Sequence, residues 1–450
     1  MIKITKGLDI KMKGTAELTY GNALVSNSYA LIPDDFHRIM PKLAVREGDK
    51  VKAGSVVFFD KNRPEIRVVS PVSGTISTVN RGERRKILSI EITPDSNVVE
   101  FEQFGKKDVS ILDSERVIEE LLLSGLFAFI KQRPYDIVAN PAQLPKAIFI
   151  SCFDSAPLAP DYDFTMANQG KHFQTGISAL AKIAPVNLGV KPTSSDIFTK
   201  VKNATITTFD GPHPAGNVGI QINHINPINK GETVWTLNVA DVAVIGKFFD
   251  EGIVELERTV ALTGSEIEKP VYVKTLLGAK ISSLINNNVT TGEKLRYING
   301  NVLTGTKTSA DGYLSAMARQ ITIIPEGDDT HEMIGWIMPR FNQFSVSHTY
   351  FSWIRNIFCK KTPYMFDARI KGGERHMIAS GEYDKVLPMD ILPEFLLKAI
   401  IANDIDKMEQ LGIYEIAPED FALCEFVDSS KVEIQKIIRQ GLDNLYKEMN

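Results

Sequence analysis

The sequence is poor in cysteine: its 450 residues include only Cys152, Cys359 and Cys424. No two of these lie close enough along the chain to form a Cys-x-x-Cys pair. This spacing argues against a disulfide framework and against a cysteine-bound iron–sulfur cluster. A sparse, unpaired set of cysteines is typical of proteins that work in a reducing cytoplasm.

Long apolar runs and an excess of positive charge are also lacking. The most apolar run, residues 121–130, is far shorter than the roughly 20 residues that a membrane-spanning helix needs, and the N-terminus lacks the apolar segment of a signal peptide. Acidic residues outnumber basic ones, 55 to 51, and the net charge is −4. We therefore expect no transmembrane span and no nucleic-acid partner, and attachment to a membrane only through partner proteins.

Several motifs of cofactor and catalytic sites are missing as well. The sequence contains no GxGxxG or Walker A phosphate loop and no Gly-x-Ser-x-Gly elbow. His213 and His224 are not accompanied by cysteines or carboxylates at ligand spacing, so we expect no metal site. Cys424 lies in an alternating apolar segment and is expected to be a buried structural thiol. No catalytic residue can be assigned from these patterns.

The residues that are present have the composition of a globular protein, with 43% hydrophobic and 24% charged residues. Residues 1–105 are rich in β-branched residues, glycine and proline, and their short apolar runs alternate with turn signals. Turn residues such as Gly48, Gly54 and Pro71 favour two small sheets packed as a barrel-sandwich, the fold of biotinyl and lipoyl domains. This region is therefore predicted to be a barrel-sandwich hybrid β domain.

In residues 106–255 strands alternate with helices. Asp113 is a candidate cap for the first helix, and the apolar runs 147–151, 204–209 and 234–239 have the length of strands. Helical patterns follow two of these runs. This alternation predicts a Rossmann-like α/β domain with a mainly parallel sheet.

The last two regions differ from each other. Residues 256–330 return to short strands around a helix-like piece at 280–285, which suits a β-grasp module similar to an SLBB domain. Residues 331–450 are mixed and then helical, with a helical pattern at 389–401 and a capping-box pattern that begins at Ser430. The apolar stripe that follows is either a core-facing helix face or a groove for a partner.

The hairpin at residues 45–82 raises the question of a swinging-arm carrier. Lys61 follows Asp60 at its predicted tip, where biotinyl domains have Met-Lys-Met and lipoyl domains have Asp-Lys-Ala. The next three residues, Asn-Arg-Pro, depart from both patterns. We therefore favour an unmodified domain, and a carrier through Lys61 is the remote alternative.

A second hairpin carries a cluster of positive charge. Its basic residues are Arg81, Arg84, Arg85 and Lys86. Runs of charge are usually solvated, so a solvated hairpin tip is the simpler interpretation. The functional interpretation is an anchor for an acidic partner.

The most unusual loop follows the second predicted strand of the α/β region. It contains Gly211, Pro212, His213, Pro214 and Gly216. Ligands of open α/β sheets bind outside the carboxyl ends of the strands. The glycines allow the backbone to approach a ligand closely, and the two prolines hold the histidine at a fixed angle. We expect this loop either to bind a ligand or to form a rigid corner that closes a domain interface.

Short motifs occur in a fixed order along nearly the whole chain. They are Ile4-Thr5-Lys6-Gly7-Leu8-Asp9, Gly211-Pro212-His213-Pro214-Ala215-Gly216, Asn301-Val302-Leu303-Thr304-Gly305, Ile324-Pro325-Glu326-Gly327, Gly372-Gly373-Glu374-Arg375, Leu387-Pro388-Met389-Asp390-Ile391-Leu392-Pro393 and Ala422-Leu423-Cys424. Together they resemble the NqrA family, the A subunits of Na+-translocating NADH:quinone reductases. The resemblance covers essentially the full length, and so many motifs in one order make chance implausible.

The resemblance implies membership of a six-subunit membrane complex that passes electrons from NADH to quinone and exports Na+. It implies a fold similar to the flavin-binding subunit of respiratory complex I, but without a redox cofactor of its own. The NADH site, the flavins and the iron–sulfur centre would then lie in partner subunits, namely the membrane subunits and the NADH-oxidising subunit. The implied location is the cytoplasmic face of the bacterial inner membrane.

The resemblance leaves the role of the loop open. Quinone or a nucleotide is a candidate ligand near His213, and contact with a partner protein of the complex is the alternative. Asn217 stands where members of the family often carry an apolar residue, which weakens the case for an apolar quinone pocket. Asp428 stands where relatives carry a second cysteine after Cys424, so a cysteine pair is not a general requirement there.

Overall fold

The computed structural model describes residues 1–95, 98–290, 294–328, 338–347, 349–358 and 362–449, and Cys359 lies outside this set. The strands are β1 (Ile2–Lys3), β2 (Tyr29–Leu31), β3 (Pro41–Leu43), β4 (Lys50–Val51), β5 (Val56–Asp60), β6 (Arg67–Val69), β7 (Gly74–Arg81), β8 (Ile87–Pro94), β9 (Lys131–Arg133), β10 (Ile137–Val138), β11 (Ala147–Ser151), β12 (Val186–Val190), β13 (Thr205–Asp210), β14 (Val234–Thr236), β15 (Glu257–Thr263), β16 (Tyr272–Leu276), β17 (Leu295–Asn299), β18 (Thr306–Thr308) and β19 (Gln320–Pro325). The α-helices are α1 (Ser114–Leu123), α2 (Tyr162–Thr165), α3 (Gly170–Leu180), α4 (Asp196–Thr199), α5 (Val218–Ile225), α6 (Val239–Glu251), α7 (Ile281–Ile285), α8 (Ser352–Phe358), α9 (Tyr383–Val386), α10 (Pro393–Ile401), α11 (Ile405–Gln410), α12 (Ala422–Val427) and α13 (Ile434–Met449).

The first region forms two small sheets. One has the strand order β2-β8-β7-β4 and the other β3-β5-β6. Val57, Phe58, Ile76 and Ile90 are fully buried in the core that these strands share. The alternation of apolar and polar residues thus produces the predicted barrel-sandwich, because each short strand buries one face.

The second region is an α/β domain built on a seven-stranded sheet of order β1-β13-β12-β11-β14-β9-β10. In this order the first five strands, β1, β13, β12, β11 and β14, are parallel to one another. The last two, β9 and β10, pair antiparallel at the other edge. Helices α3 and α6 pack closely because both carry glycine at the contact: a Cβ on Gly246 would lie 1.7 Å from His172 O. The Rossmann-like prediction is confirmed in its parallel sheet, to which the N-terminal strand β1 adds an edge.

One predicted strand is too long. The apolar run 234–239 is a strand only as far as Thr236, because Asn238 caps a helix and its side chain accepts from the Ala240 N–H at 3.0 Å. Val239 is therefore the first residue of α6. Asp113 does cap α1, as predicted, and accepts from the Arg116 N–H at 2.9 Å.

The third region is a five-stranded sheet of order β16-β15-β19-β17-β18. The central pair, β15 and β19, is parallel, and the flanking pairs are antiparallel. Helix α7 follows β16 and precedes β17. This is the predicted β-grasp arrangement, and Ile321 and Ile323 of its central strand are fully buried.

The last region is helical from α9 onward. The stripe Ile434, Ile438, Leu442 and Leu445 on α13 is fully buried, so the core-facing interpretation of that stripe is confirmed. The predicted capping box at Ser430 is wrong. Helix α13 begins at Ile434, and the N–H of Gln435 donates to Glu425 of α12 at 2.8 Å, so a different helix supplies the partner.

The predicted apolar face of the helix at 389–401 is only partly right. The helix, α10, begins at Pro393. Phe395 points outward with 59% of its surface exposed, whereas Leu396 and Leu397 are fully buried. The neighbouring α13 approaches α10 closely at Gly441, where a Cβ would lie 2.7 Å from Ile400, and this contact selects the buried face.

Two hydrophobic cores hold these regions together. The larger joins residues of the barrel-sandwich, the α/β domain and the β-grasp sheet, from Tyr29 to Ile323. The second joins the C-terminal helices to the N-terminal residues Ile4, Ile10 and Met12 and to Ile298 and Ile324 of the β-grasp sheet. Among the residues described, no helix has the length and apolar character needed to span a membrane.

Candidate functional site

A cavity of 480 Å³ opens at the carboxyl edge of the parallel sheet. The loops after β11, β13 and β14 supply one wall, where ligands of α/β proteins usually bind. The β-grasp sheet and the C-terminal region supply the others. Its polar lining residues include Asp35, Lys131, Asp136, Asp154, His213, Asn217, Asn238, Asp241, Asn299, Asn301, Thr304 and Glu419.

His213 is buried in this wall, with 3% of its surface exposed. Its Nδ1 lies 3.0 Å from Ser155 Oγ, and Ser155 Oγ accepts from the N–H of Gly216 at 2.8 Å. The hydroxyl proton of Ser155 is therefore free to be donated to Nδ1. Burial lowers the pKa of His213 to about 4, although nearby Asp9 opposes this shift. The ring is neutral at physiological pH, and it carries its proton on Nε2 in the arrangement in which Ser155 donates to Nδ1.

The predicted loop residues divide between two roles. His213 and Gly216 line the cavity. Gly211 and Pro212 instead face the N-terminal segment: a Cβ on Gly211 would lie 2.3 Å from Ile4 O, and one on Gly7 would lie 3.0 Å from Pro212 Cγ. Pro214 is buried but is not part of the cavity lining.

The same loop fastens the start of the chain to the sheet. The N–H of Leu8 donates to His213 O at 2.8 Å, and the N–H of His213 donates to Asp9 Oδ1 at 2.9 Å. The N–H of Ile4 donates to Asp210 O at 2.7 Å and continues the pairing of β1 with β13. The loop is thus a rigid corner on one side and a cavity wall on the other.

The cavity is rich in carboxylates. Asp35 accepts hydrogen bonds from Ser315 Oγ and the Ala316 N–H, both at 2.7 Å, and burial raises its pKa to about 6. Burial also raises the pKa of Asp154 and of Glu419. A concentration of carboxylates repels phosphate groups. The lining therefore favours a neutral ligand that accepts or donates hydrogen bonds.

A cluster of charged residues lies where the α/β domain meets the C-terminal region. Arg133 of β9 donates to Asp420 at 2.5 Å and to Glu419 at 2.8 Å, and both Arg133 and Asp420 are almost fully buried. The N–H of Ala417 also donates to Asp420, at 2.9 Å. Gly219 of α5 makes room for the cluster, because a Cβ there would lie 2.3 Å from Arg133 Nη1. We call Arg133, Glu419 and Asp420 the interdomain ion cluster.

Asn217 joins the same boundary. Its Nδ2 donates to Glu419 O at 3.3 Å, so its polar side chain links the loop to the C-terminal region. This contact gives a structural reason for an amide at a position where the family resemblance leads one to expect an apolar residue. The cavity wall at this point is polar.

Sequence reasoning missed several residues of the cavity. Asp154 and Ser155 follow β11, and the rule that ligands bind beyond strand ends would have pointed to them. Asp35 and Glu419 come from distant parts of the chain, and no local sequence pattern signals that they meet here. Metal-binding groups of three or more His, Cys, Asp or Glu do not occur within the described ranges.

Two other sequence predictions fall outside the cavity. Cys424 is fully buried, so its predicted burial is confirmed, and burial raises the pKa of its thiol. Lys61 is exposed next to β5, but the hairpin beside it is fastened: Arg63 donates to buried Asp60 at 3.0 Å and to Ala139 O of the α/β domain at 3.2 Å.

Comparisons with known proteins agree with this architecture. Three family models match: the NqrA N-terminal barrel-sandwich hybrid domain at residues 2–95, the NqrA second alpha/beta domain at 112–254 and the NQRA C-terminal domain at 259–310. Each falls on one of the three sheet-containing regions described above.

Full-length relatives are found as well. The chain is 37% identical to the A subunit of the Na(+)-translocating NADH-quinone reductase of Haemophilus influenzae (strain PittGG) and 35% identical to that of Yersinia pestis bv. Antiqua (strain Angola), with 100% of each chain covered. Among solved structures, a crystal structure of an air-oxidised NAD+-reducing NiFe hydrogenase matches 78% of this chain and 72% of its own, at 10% identity and a TM-score of 0.38. That likeness is too distant to carry an argument.

Proposed function

Because the chain belongs to the NqrA family of the Na+-translocating NADH-quinone reductases, we propose that it is the peripheral NqrA component of such a complex on the cytoplasmic face of a bacterial inner membrane. The observation that carries this proposal is identity of 35–37% over the whole chain. In this role it supports electron transfer from NADH to quinone coupled to Na+ export. Its partners are the membrane subunits and the NADH-oxidising subunit.

The chain works in this proposal without a tightly bound redox cofactor. Two observations support that part. The sequence has no glycine-rich phosphate loop, and Asp35, Asp154 and Glu419, whose carboxylates repel phosphate, line the cavity at the carboxyl edge of the sheet. The NADH site, the flavins and the iron–sulfur centre then belong to the partner subunits.

We propose that the chain has four domains with the boundaries that the sequence predicts: residues 1–105, 106–255, 256–330 and 331–450. The strand pairing supports this division, since each sheet draws its strands from one region apart from β1. β1 belongs by sequence to the first region and by hydrogen bonding to the second.

The cofactor-free proposal is tested by native mass spectrometry of the isolated full chain. We expect the mass of the bare polypeptide. A stoichiometric flavin adduct that survives purification would overturn it. The role in the complex is tested separately, with membranes from cells that lack this chain: Na+-stimulated quinone reduction by NADH should be lost there and return when the chain is supplied.

A second candidate function, which the wall of the cavity favours, is quinone binding at His213. In this proposal Ser155 donates to Nδ1, so that Nε2 carries the proton of the neutral ring. A buried N–H donor next to a cavity of 480 Å³ suits the carbonyl oxygen of a quinone. A nucleotide fits less well, because its phosphates would meet the carboxylates of the lining.

Steady-state kinetics of the whole complex tests the quinone site. We expect His213→Ala to raise the KM for quinone on the order of tenfold, the loss of about one buried hydrogen bond, with the KM for NADH unchanged. His172→Ala is the control, since His172 lies on α3 and does not line the cavity. Equal KM values for quinone in wild type and His213→Ala would leave the loop as a rigid corner alone.

A further inference from the structure

An unusual share of the exposed apolar surface lies in one segment. Between residues 338 and 378 the large hydrophobic side chains with more than two-fifths of their surface exposed are Met338, Phe341, Val346, Phe351, Trp353, Ile357, Met365, Ile370 and Ile378. Isolated exposed apolar residues are normal, but contiguous ones mark an interaction surface. We call the described residues of this segment, 338–347, 349–358 and 362–378, the exposed apolar segment.

Four of these side chains lie in two close pairs, Phe341 with Phe351 and Trp353 with Ile357. The rings of Phe341 and Phe351 are 5.9 Å apart, edge to face. The N–H of Phe351 donates to Pro339 O at 2.8 Å, which fixes this pair next to the start of α8. Trp353 and Ile357 are four residues apart on α8 and so share one face of that helix. Ser352 is 2% exposed and faces the protein.

The other side of the segment is anchored. The ring of Phe344 packs against those of Phe366 and of Phe426 on α12, with ring centroids 5.7 Å and 6.1 Å apart. Tyr364 pairs with the N-terminal segment through the Lys13 N–H, which donates to Tyr364 O at 2.9 Å. The exposed rings are therefore presented by a segment that is tied to the rest of the molecule, and they are not the ends of a loose loop.

The charge of the segment is opposite to that of the whole chain. Its described side chains include two acidic residues, Asp367 and Glu374, and four basic residues, Arg340, Arg369, Lys371 and Arg375. Arg369 and Lys371 pair with Asp367 at 2.7 and 3.3 Å. The chain as a whole has a net charge of −4. Positive charge interleaved with Trp, Phe and Ile is the composition of segments that lie in the interface of an anionic bilayer.

We propose that the exposed apolar segment lies on the surface of a membrane that contains anionic lipids, with Phe351, Trp353 and Ile357 inserted at the boundary between headgroups and acyl chains. Lys371 and Arg375, which are described and exposed, contact lipid phosphates. This inference goes beyond the proposed function, because it gives the chain a membrane contact of its own in addition to its protein partners.

Co-sedimentation of the purified full chain with lipid vesicles tests the proposal. Vesicles of phosphatidylcholine alone are compared with vesicles in which half of the lipid is phosphatidylglycerol. We expect binding to the anionic vesicles only, weakened by added salt because the Debye length shortens. Binding to neither kind of vesicle would overturn the proposal.

Matched variants locate the contact. Trp353→Ser combined with Ile357→Ser should weaken vesicle binding on the order of tenfold or more, since two apolar side chains leave the interface. The control is Ile111→Ser, which removes an apolar side chain that is 80% exposed on the α/β domain. An equal loss in the control would overturn the assignment to this segment.

Charge reversal separates this surface from the other basic cluster. Lys371→Glu with Arg375→Glu should abolish the preference for anionic vesicles, whereas Arg84→Glu with Arg85→Glu on the β7–β8 hairpin should leave it unchanged. The reverse result would move the contact to the hairpin and overturn the proposal. If vesicles never bind but the Trp353 and Ile357 variant fails to co-purify with the membrane subunits, the segment is a protein interface and the proposal is wrong.

Discussion

At the scale of single residues, Gly219 packs tightly against the interdomain ion cluster. Its hydrogen atoms face Arg133 and Asp420 where the α/β domain meets the C-terminal region, and a Cβ would lie 2.3 Å from Asp420 Oδ1. Neither partner can move aside easily, since both are buried and bonded to each other. The glycine is needed for space.

Gly219→Ala should therefore lower the free energy of unfolding by about 3 kcal/mol, through overpacking and a displaced ion pair. Thermal unfolding of the full chain measures the change. Gly170→Ala is the matched control: it also lies at the start of a helix, but its Cβ would be 3.7 Å from the nearest side chain. We expect that control to be neutral or slightly stabilising. Equal destabilisation by both substitutions would contradict the argument from space.

The burial of His213 predicts that the stability of the folded chain depends on pH. Its pKa is about 4 in the folded chain because of burial, against roughly 6.5 in an unfolded chain. Between these values the unfolded state binds the proton more readily, so stability is full above about pH 6.5 and is lost as pH falls to about 4, by about 3 kcal/mol. His213→Gln should lack this component.

Unfolding of wild type and His213→Gln across this pH range measures it. The stability advantage of the wild type should shrink as pH falls. Because the pKa of Asp35 is raised, this group makes the folded chain more stable as the pH falls. Asp35 is present in both proteins, so its contribution cancels in the difference between them. A difference that stays constant between pH 7 and pH 4 would show that His213 is not the titrating group.

At the scale of elements, the interdomain ion cluster connects β9 to the C-terminal region. Removing Arg133 alone leaves Asp420 as a buried carboxylate without its charge partner, although the Ala417 N–H still donates to it. Arg133→Met should cost about 3–5 kcal/mol of stability. The double variant Arg133→Met, Asp420→Leu should recover much of this loss, because neither buried charge is left. Additive effects of the two substitutions would contradict a direct pairing.

The β5–β6 hairpin gives a prediction about modification. Arg63 ties this hairpin to Ala139 of the α/β domain, so the tip next to Lys61 is not free to swing. The intact mass of the native protein should contain no lipoyl or biotinyl increment. Lys61→Arg should leave NADH-quinone activity of the complex unchanged. A discrete mass increment that disappears in this variant would restore the carrier hypothesis.

Elements with local signals were predictable from the sequence. The strand at 147–151 and the cap at Asp113 follow from an apolar run and a capping residue, and both depend on neighbours along the chain. The strand ending at 239 was wrong because a continuous apolar run does not distinguish a buried strand from the start of a buried helix. The capping box at Ser430 was wrong because Glu425, on another helix, supplies the acceptor.

The cavity was predictable only in part for the same reason. The loop with His213 stood out by its glycines and prolines. Its partners Ser155 and Asp9, and the opposite wall with Asp35 and Glu419, come together only through the packing of separate sheets. Tertiary contacts of this kind leave no periodic pattern in one sequence.

At the scale of the whole molecule, the two hydrophobic cores do not respect the regional boundaries. The larger core runs from the barrel-sandwich through the α/β domain into the β-grasp sheet. A fragment of residues 106–255 would expose apolar surface that other regions normally cover. We expect this fragment to show no cooperative thermal transition, whereas the full chain unfolds cooperatively. Calorimetry of both decides, and a sharp transition in the fragment would show that the α/β domain is autonomous.

The pairing of β1 with β13 has a consequence for synthesis. Ile2 and Lys3 of β1 pair with Phe209 and Asp210 of β13, which lie 207 residues further along the chain. β1 must therefore remain unpaired until β13 has been translated. Pairing over such a distance is slow to form, so the N-terminal segment is exposed to proteases and chaperones for longer than any other strand of that sheet.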